Sequence, residues 1–175
     1  MVKQNTNSKK GFTIIEVVLV LAIAGLIFLM VFIALPALQR SQRDTQRRDD
    51  MARFLSQLNQ YQANNGGTVP GDAVANWNVA ESGTDKSFIT NYMKAGGDKF
   101  EDPSTGNTYK LKQAVQACTK GADCPNGAAS ETEMGIIYIV KNAKCEGEKP
   151  VYIEGSRKLA VLMKLEGAGV YCGNN

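Results

Sequence analysis

The chain has no histidine among its 175 residues. That absence removes every catalytic arrangement that needs an imidazole, the Ser-His-Asp and Cys-His pairs included. No phosphate-binding loop, G-x-S-x-G turn or paired metal ligands stand in their place. No catalytic residue, cofactor or metal is therefore expected. A C-x-x-C pair is also missing, so the four cysteines, Cys118, Cys124, Cys145 and Cys172, do not read as a zinc site. The first eleven residues contain no acid, although Lys3, Lys9 and Lys10 lie there. From Ile14 to Leu38 there is almost no charge, Glu16 being the single exception.

The formal net charge is +3, from 20 basic and 17 acidic side chains. Setting aside the three lysines of the first eleven residues leaves 20 − 3 = 17 basic against 17 acidic groups. A near-neutral body is unlike that of proteins that bind polyanions, which carry a strong basic excess. Nucleic acid is thus not an expected partner. Near neutrality does suit a subunit that packs against many copies of itself.

Residues 1–11, polar and basic, lead directly into an apolar run. A secretory signal is cut after its apolar stretch, which is then discarded. Here that stretch is about 22 residues, from Val17 to Leu38, or roughly 33 Å as a helix, enough to span a bilayer core. It is expected to be retained. The three lysines favour the cytoplasmic side for the N-terminus and the outside for the rest. Arg40, Arg43, Arg47 and Arg48 crowd the other end of the run, partly offset by Asp44, Asp49 and Asp50, so topology rests also on the leader and the cysteines.

Glu16 needs a reason to sit in an apolar helix, where a carboxylate costs on the order of 3 kcal/mol on insertion scales. Cleavage between Gly11 and Phe12 would create an ammonium four residues away. That cation, in the same chain or a neighbouring one, would neutralise the acid.

The stretch Lys9-Lys10-Gly11-Phe12-Thr13-Ile14-Ile15-Glu16 resembles the class III signal motif of type IV prepilins. The resemblance implies that a membrane aspartyl peptidase cuts after Gly11, that Phe12 becomes a methylated N-terminus, and that Glu16 pairs with the N-terminus of an adjacent subunit during assembly. Gly25 matches a small position of the family's helix. Pro36 is similar to its mid-helix proline, three residues later than usual, and implies a segment from Gly25 to Pro36 that melts on assembly. Physically, Pro36 removes one backbone hydrogen bond and should bend or loosen the preceding turn.

Beyond Pro36 the apolar residues Met51, Phe54, Leu55, Leu58 and Tyr61 recur at helical spacing and predict one buried face. Arg40/Asp44, Asp44/Arg48 and Asp49/Arg53 stand four apart on a face expected to meet solvent or another subunit. Gly66 and Gly67 should end the helix. Residues 68–107 read as a long connection anchored by Trp77, Phe88, Ile89 and Tyr92, with one short helix near Ser87–Lys94. Strands are predicted at Thr108–Val115, at Gly135–Val140 as a central strand, and at Leu159–Leu165 with alternating burial.

The fold expected is therefore α+β, a long N-terminal helix whose second half packs on an antiparallel sheet head, which is also the pilin architecture that the resemblance implies. Its segments are a leader, 1–11; a transmembrane and filament-core helix, 12–38; an amphipathic continuation, 39–65; and a globular head, 66–175. An even cysteine count beyond an export segment predicts two disulfides, with three possible connectivities. The pairing expected is Cys118–Cys124 and Cys145–Cys172, worth roughly 2.4 and 3.6 kcal/mol in the chain-entropy model. The turn Glu101–Tyr109 resembles the Asp-Pro…Gly…Tyr turn of pseudopilins and some pilins. Asp98, Glu101 and Asp102 fit no EF-hand pattern and are expected to form a solvated acidic turn.

The function expected is that of a structural subunit of a type IV pilus, serving adhesion, twitching motility or DNA uptake. Its partners are identical subunits, the membrane as precursor, the prepilin peptidase and the pilus assembly machinery. The precursor would cross the inner membrane once, and the assembled form would be extracellular. A minor pilin or type II secretion pseudopilin is the alternative, and a singly anchored surface binding domain a third reading.

Overall fold

The computed structural model describes residues 11–70, 88–113, 117–130, 132–155, 157–167 and 169–175. Two compact units divide between Gln39 and Arg40.

A single helix, α1 (Ile14–Asn64), supplies most of the first unit and the beginning of the second. It is continuous through Gly25 and Pro36, so the loosening expected before the proline is not a break in the helix here. In the second unit Met51, Phe54 and Leu58 are fully buried, with Leu55 and Tyr61 packed beside them, at the spacing that keeps one face toward a core. The helix stops where the two glycines were expected to stop it. Gly66 has φ +66°, a left-handed conformation that lets the Gly67 N–H turn back and donate to the Gln62 carbonyl at 2.7 Å, closing the last turn.

The predicted short helix is a π-helical turn, Ile89–Met93, followed by a 3-10 turn, Ala95–Gly97. Ser87 and Trp77 lie outside the described residues. Phe88 packs edge-on against Phe54 at 5.8 Å and Tyr61 at 5.4 Å, so this turn is pinned to α1 by aromatic contacts.

The strands are β1 (Lys110–Gln113), β2 (Ile136–Lys141), β3 (Ala143–Glu146), β4 (Lys149–Tyr152), β5 (Leu159–Lys164) and β6 (Val170–Asn174). Four form a sheet in the order β1-β2-β5-β6, and β3 pairs with β4 as a hairpin. β2 is central, as its uninterrupted Ile136-Ile137-Tyr138-Ile139-Val140 run predicts. The sheet is mixed rather than purely antiparallel: β1 runs parallel to β2. The intervening chain, residues 114–135, is long enough for the crossover that a parallel pair requires. Ala114 and Val115, expected in the first strand, lie outside the described residues.

β5 also departs from expectation. Leu159, Val161 and Met163 face the α1 core, yet Ala160 and Leu162 are buried as well. A second layer covers the outer face of the sheet, where Cys118, Ala128, Ala143 and Val170 gather with Tyr138 and Tyr152. Disulfides Cys118–Cys124 and Cys145–Cys172 lie in this layer. The second ties the β3–β4 hairpin to β6, neither of which the sequence reading identified. The architecture is α+β, with a sheet covered by a helix on one face and disulfide-closed segments on the other.

A candidate processing and assembly segment

Gly11, Phe12 and Thr13 precede the first turn of α1 and are exposed. Thr13 sits at the cap. Its N–H and its hydroxyl both donate to Oε2 of Glu16 at 2.8 Å, and its Oγ1 accepts the Glu16 N–H at 3.4 Å. This reciprocal arrangement is a capping box, which satisfies donors that a helix start leaves unpaired. The carboxylate also stands in the first turn, where the helix dipole favours negative charge. Glu16 is thus held by its own chain in the subunit taken alone. The sequence reading missed Thr13, although T-x-x-E ahead of an apolar run was the available signal.

Every large apolar side chain from Phe12 to Leu38 is exposed, from 43% at Val31 to 91% at Phe12. Such a surface needs a non-aqueous neighbour. The helix is also long and apolar enough to cross a membrane. A Cβ on Gly25 would meet nothing within 4 Å, and Pro36 lies inside the helix. Both are exposed on the helix surface.

The Arg-rich stretch beyond Gln39 is only partly the face expected: Arg40, Arg48 and Asp49 are exposed, but Asp44 is buried. Arg47 is fully buried. Its Nε donates to Asp102 Oδ2 at 2.7 Å, its Nη2 to Asp102 Oδ1 at 3.1 Å and to Ser104 Oγ at 2.9 Å, and its Nη1 to Asp44 Oδ1 at 2.8 Å. Asp44 also accepts the N–H groups of Glu166 and Gly167 at 2.8 and 2.7 Å. Arg43 makes a two-pronged pair with Glu166, at 2.7 and 2.5 Å. The partners of these arginines are therefore loop acids of the head and an acid three residues away, rather than the acids four apart.

Asp102 is correspondingly not part of a solvated turn, being 1% exposed. Burial opposes its ionisation, but Arg47 and Ser104 outweigh that and hold its pKa below the usual carboxylate range. The same contest at Asp44, burial against two backbone N–H groups and Arg47, also ends below the usual range. Glu166 is lowered chiefly by Arg43. Burial raises Asp50, which accepts the Tyr109 hydroxyl at 3.0 Å. Asp98 turns instead to Arg53 at 3.3 Å, and Glu101 bridges to Thr108. Asp98, Glu101 and Asp102 do not converge.

The family model of the prokaryotic N-terminal methylation motif matches residues 6–32. No curated protein and no solved structure matches the chain. The matched residues contain Gly11, Phe12, the Thr13–Glu16 cap and the exposed apolar turns that follow. The N-terminal segment is a type IV pilin-like class III signal peptide, the mark of a membrane-anchored precursor of pilin-like or pseudopilin type.

Proposed function

We propose that the chain is the precursor of a type IV pilin, cut between Gly11 and Phe12, methylated on Phe12 and assembled through residues 12–38 into an extracellular helical filament of identical subunits. The observation that carries this reading is the methylation motif running directly into a helical stretch, to Leu38, whose large apolar side chains are all exposed and whose one acid is Glu16. In the membrane, lipid covers that surface; in a filament, copies of the same helix replace it. The Glu16 carboxylate exchanges its bonds to Thr13 for the ammonium of an adjacent Phe12, which fixes the axial register of neighbouring subunits. Gly25 permits close helix approach, and Pro36 removes a hydrogen bond from the stretch that can extend on assembly. Residues 40–175 form the exposed head, which would serve adhesion, twitching motility or DNA uptake.

A pseudopilin of a secretion filament is the second reading, favoured by the turn Asp102-Pro103…Gly106…Tyr109, whose aspartate is buried against α1. Both readings predict that Gly11→Val leaves an uncut precursor in the membrane. Electron microscopy of sheared surface material separates them. Long filaments containing this chain support the pilin, and short envelope-bound fibres support the pseudopilin. Normal maturation of Gly11→Val would overturn both.

A further inference from the structure

The chain contains two Asn-Gly steps, Asn65-Gly66 and Asn126-Gly127. In such steps the nitrogen after the asparagine is least obstructed, because glycine has no side chain. The fold treats the two differently. Asn65 and Gly66 are both exposed just past the end of α1, where the backbone ladder finishes and local opening is easiest. A Cβ placed on Gly66 would meet nothing within 4 Å. Among the described residues the Gly66 N–H donates to no backbone carbonyl, although its neighbours Asn65 and Gly67 both do. The Asn65 amide is tied by one bond, from Nδ2 to the Tyr61 carbonyl at 2.9 Å.

Asn126 is held otherwise. Its Oδ1 accepts the Ala129 N–H at 3.3 Å, capping the short helix Gly127–Ser130. Gly127 is pressed against Tyr138, whose Cε1 would lie 2.4 Å from an added Cβ. That ring packs in the outer layer of the sheet, so the Gly127 side of the step is crowded where the Gly66 side is open.

We propose that Asn65 is a self-modifying position, converting to aspartate and isoaspartate in the folded protein while Asn126 is protected. The Gly66 nitrogen attacks Cγ of Asn65. A bond forms between them as the Cγ–Nδ2 bond breaks, and ammonia leaves with the proton of the Gly66 N–H. Water then opens the resulting ring at either carbonyl. The net change is one amide and one water to one carboxylic acid and one ammonia, and the chain gains a negative charge. The Asn65 carbonyl also accepts the N–H and the hydroxyl of Thr68, at 3.2 and 2.8 Å, so ring closure follows a local opening of this turn.

The new carboxylate replaces a donor with an acceptor facing the Tyr61 carbonyl, at the helix end where negative charge is unfavourable. Tyr61 packs on Phe88 and Tyr92 at 5.4 and 5.5 Å, and Asn64 reaches the Tyr92 hydroxyl at 3.4 Å. Conversion therefore loosens the seam between α1 and the Ile89–Met93 turn.

The test incubates the full chain in detergent at mildly alkaline pH, with a parallel sample unfolded in urea, and follows both asparagines by peptide mass spectrometry. Several-fold faster conversion at Asn65 than at Asn126 in the folded sample, with the two rates converging in urea, is the expected result. Asn65→Gln should remove the acidic species seen on isoelectric focusing. Equal rates in the folded protein, Asn126 converting first, or conversion confined to the urea sample would each overturn the proposal.

Discussion

Arg47 on α1 grips Asp102, 55 residues further along the chain, through Nε–Oδ2 and Nη2–Oδ1 bonds of 2.7 and 3.1 Å. The Arg47 side chain is 0% exposed and that of Asp102 1%. Asp44 and Ser104 accept further bonds from it, so this guanidinium joins the helix to the loop that precedes the sheet.

Removing one partner of a buried pair strands the other, which costs roughly 3–5 kcal/mol. Arg47→Ala should lower unfolding free energy by about that amount, measured by urea denaturation of the full chain in detergent. Arg53 offers the contrast, because its acid partner Asp98 is 64% exposed. Arg53→Ala should cost about 1 kcal/mol. Equal losses for the two variants would mean that Arg47 does not hold the helix to its loop.

The same network sets an acid limit. Asp44, Asp102 and Glu166 all have lowered pKa values in the folded state. A carboxylate lowered on folding stabilises the fold above its unfolded pKa, near 3.9–4.3 for these residue types, and that stability is lost as pH falls through the folded value. Asp50, raised by burial, works in the opposite direction and offsets part of the loss. Thermal stability should thus be flat near neutrality and fall steeply below about pH 4. Arg47→Met should flatten that acid limb, since it removes the cation responsible for much of the shift. An unchanged acid limb in the variant would contradict this assignment.

The two disulfides should contribute unequally. Cys145–Cys172 closes a sequence separation of 27 and Cys118–Cys124 one of 6. In the chain-entropy model these correspond to roughly 3.6 and 2.4 kcal/mol. Replacing the first pair with serines should lower the denaturation midpoint more than replacing the second, and should release the β3–β4 hairpin to faster hydrogen exchange. A larger loss from the short loop would indicate that packing in the outer layer, rather than loop closure, sets the difference.

Much of this architecture was legible in local sequence. Met51, Phe54 and Leu58 recur at the helical period, Gly66 and Gly67 mark the helix end, and Ile136 to Val140 is too uniformly apolar for an edge strand. The misreadings arose from partners distant in sequence. Arg47 and Asp102 each look like solvent residues until the fold brings them together, and the acids at four-residue spacing pointed to the wrong pairs. Ala160 looked outward because the layer covering it comes from Cys118 and Ala128, far from β5 in sequence, and from a hairpin that the sequence reading had not identified. At the N-terminus the omission was of another kind. Thr13 and Glu16 are close in sequence, but Glu16 was read for its missing cation rather than for the helix donors beside it.

Glu16→Ala should leave insertion and trimming intact while preventing assembly, because the apolar helix remains and only the neutralising carboxylate is lost. Fractionation should find the trimmed chain in membranes and none in sheared surface material. Abundant normal filaments from this variant would contradict the role of Glu16.

The most direct measurement is intact-mass and N-terminal peptide mass spectrometry of the chain recovered from sheared cell-surface material. A chain beginning at N-methylated Phe12 in that fraction is the result predicted. A chain still beginning at Met1, and found only in membranes, would contradict processing and assembly together and leave a plain membrane anchor.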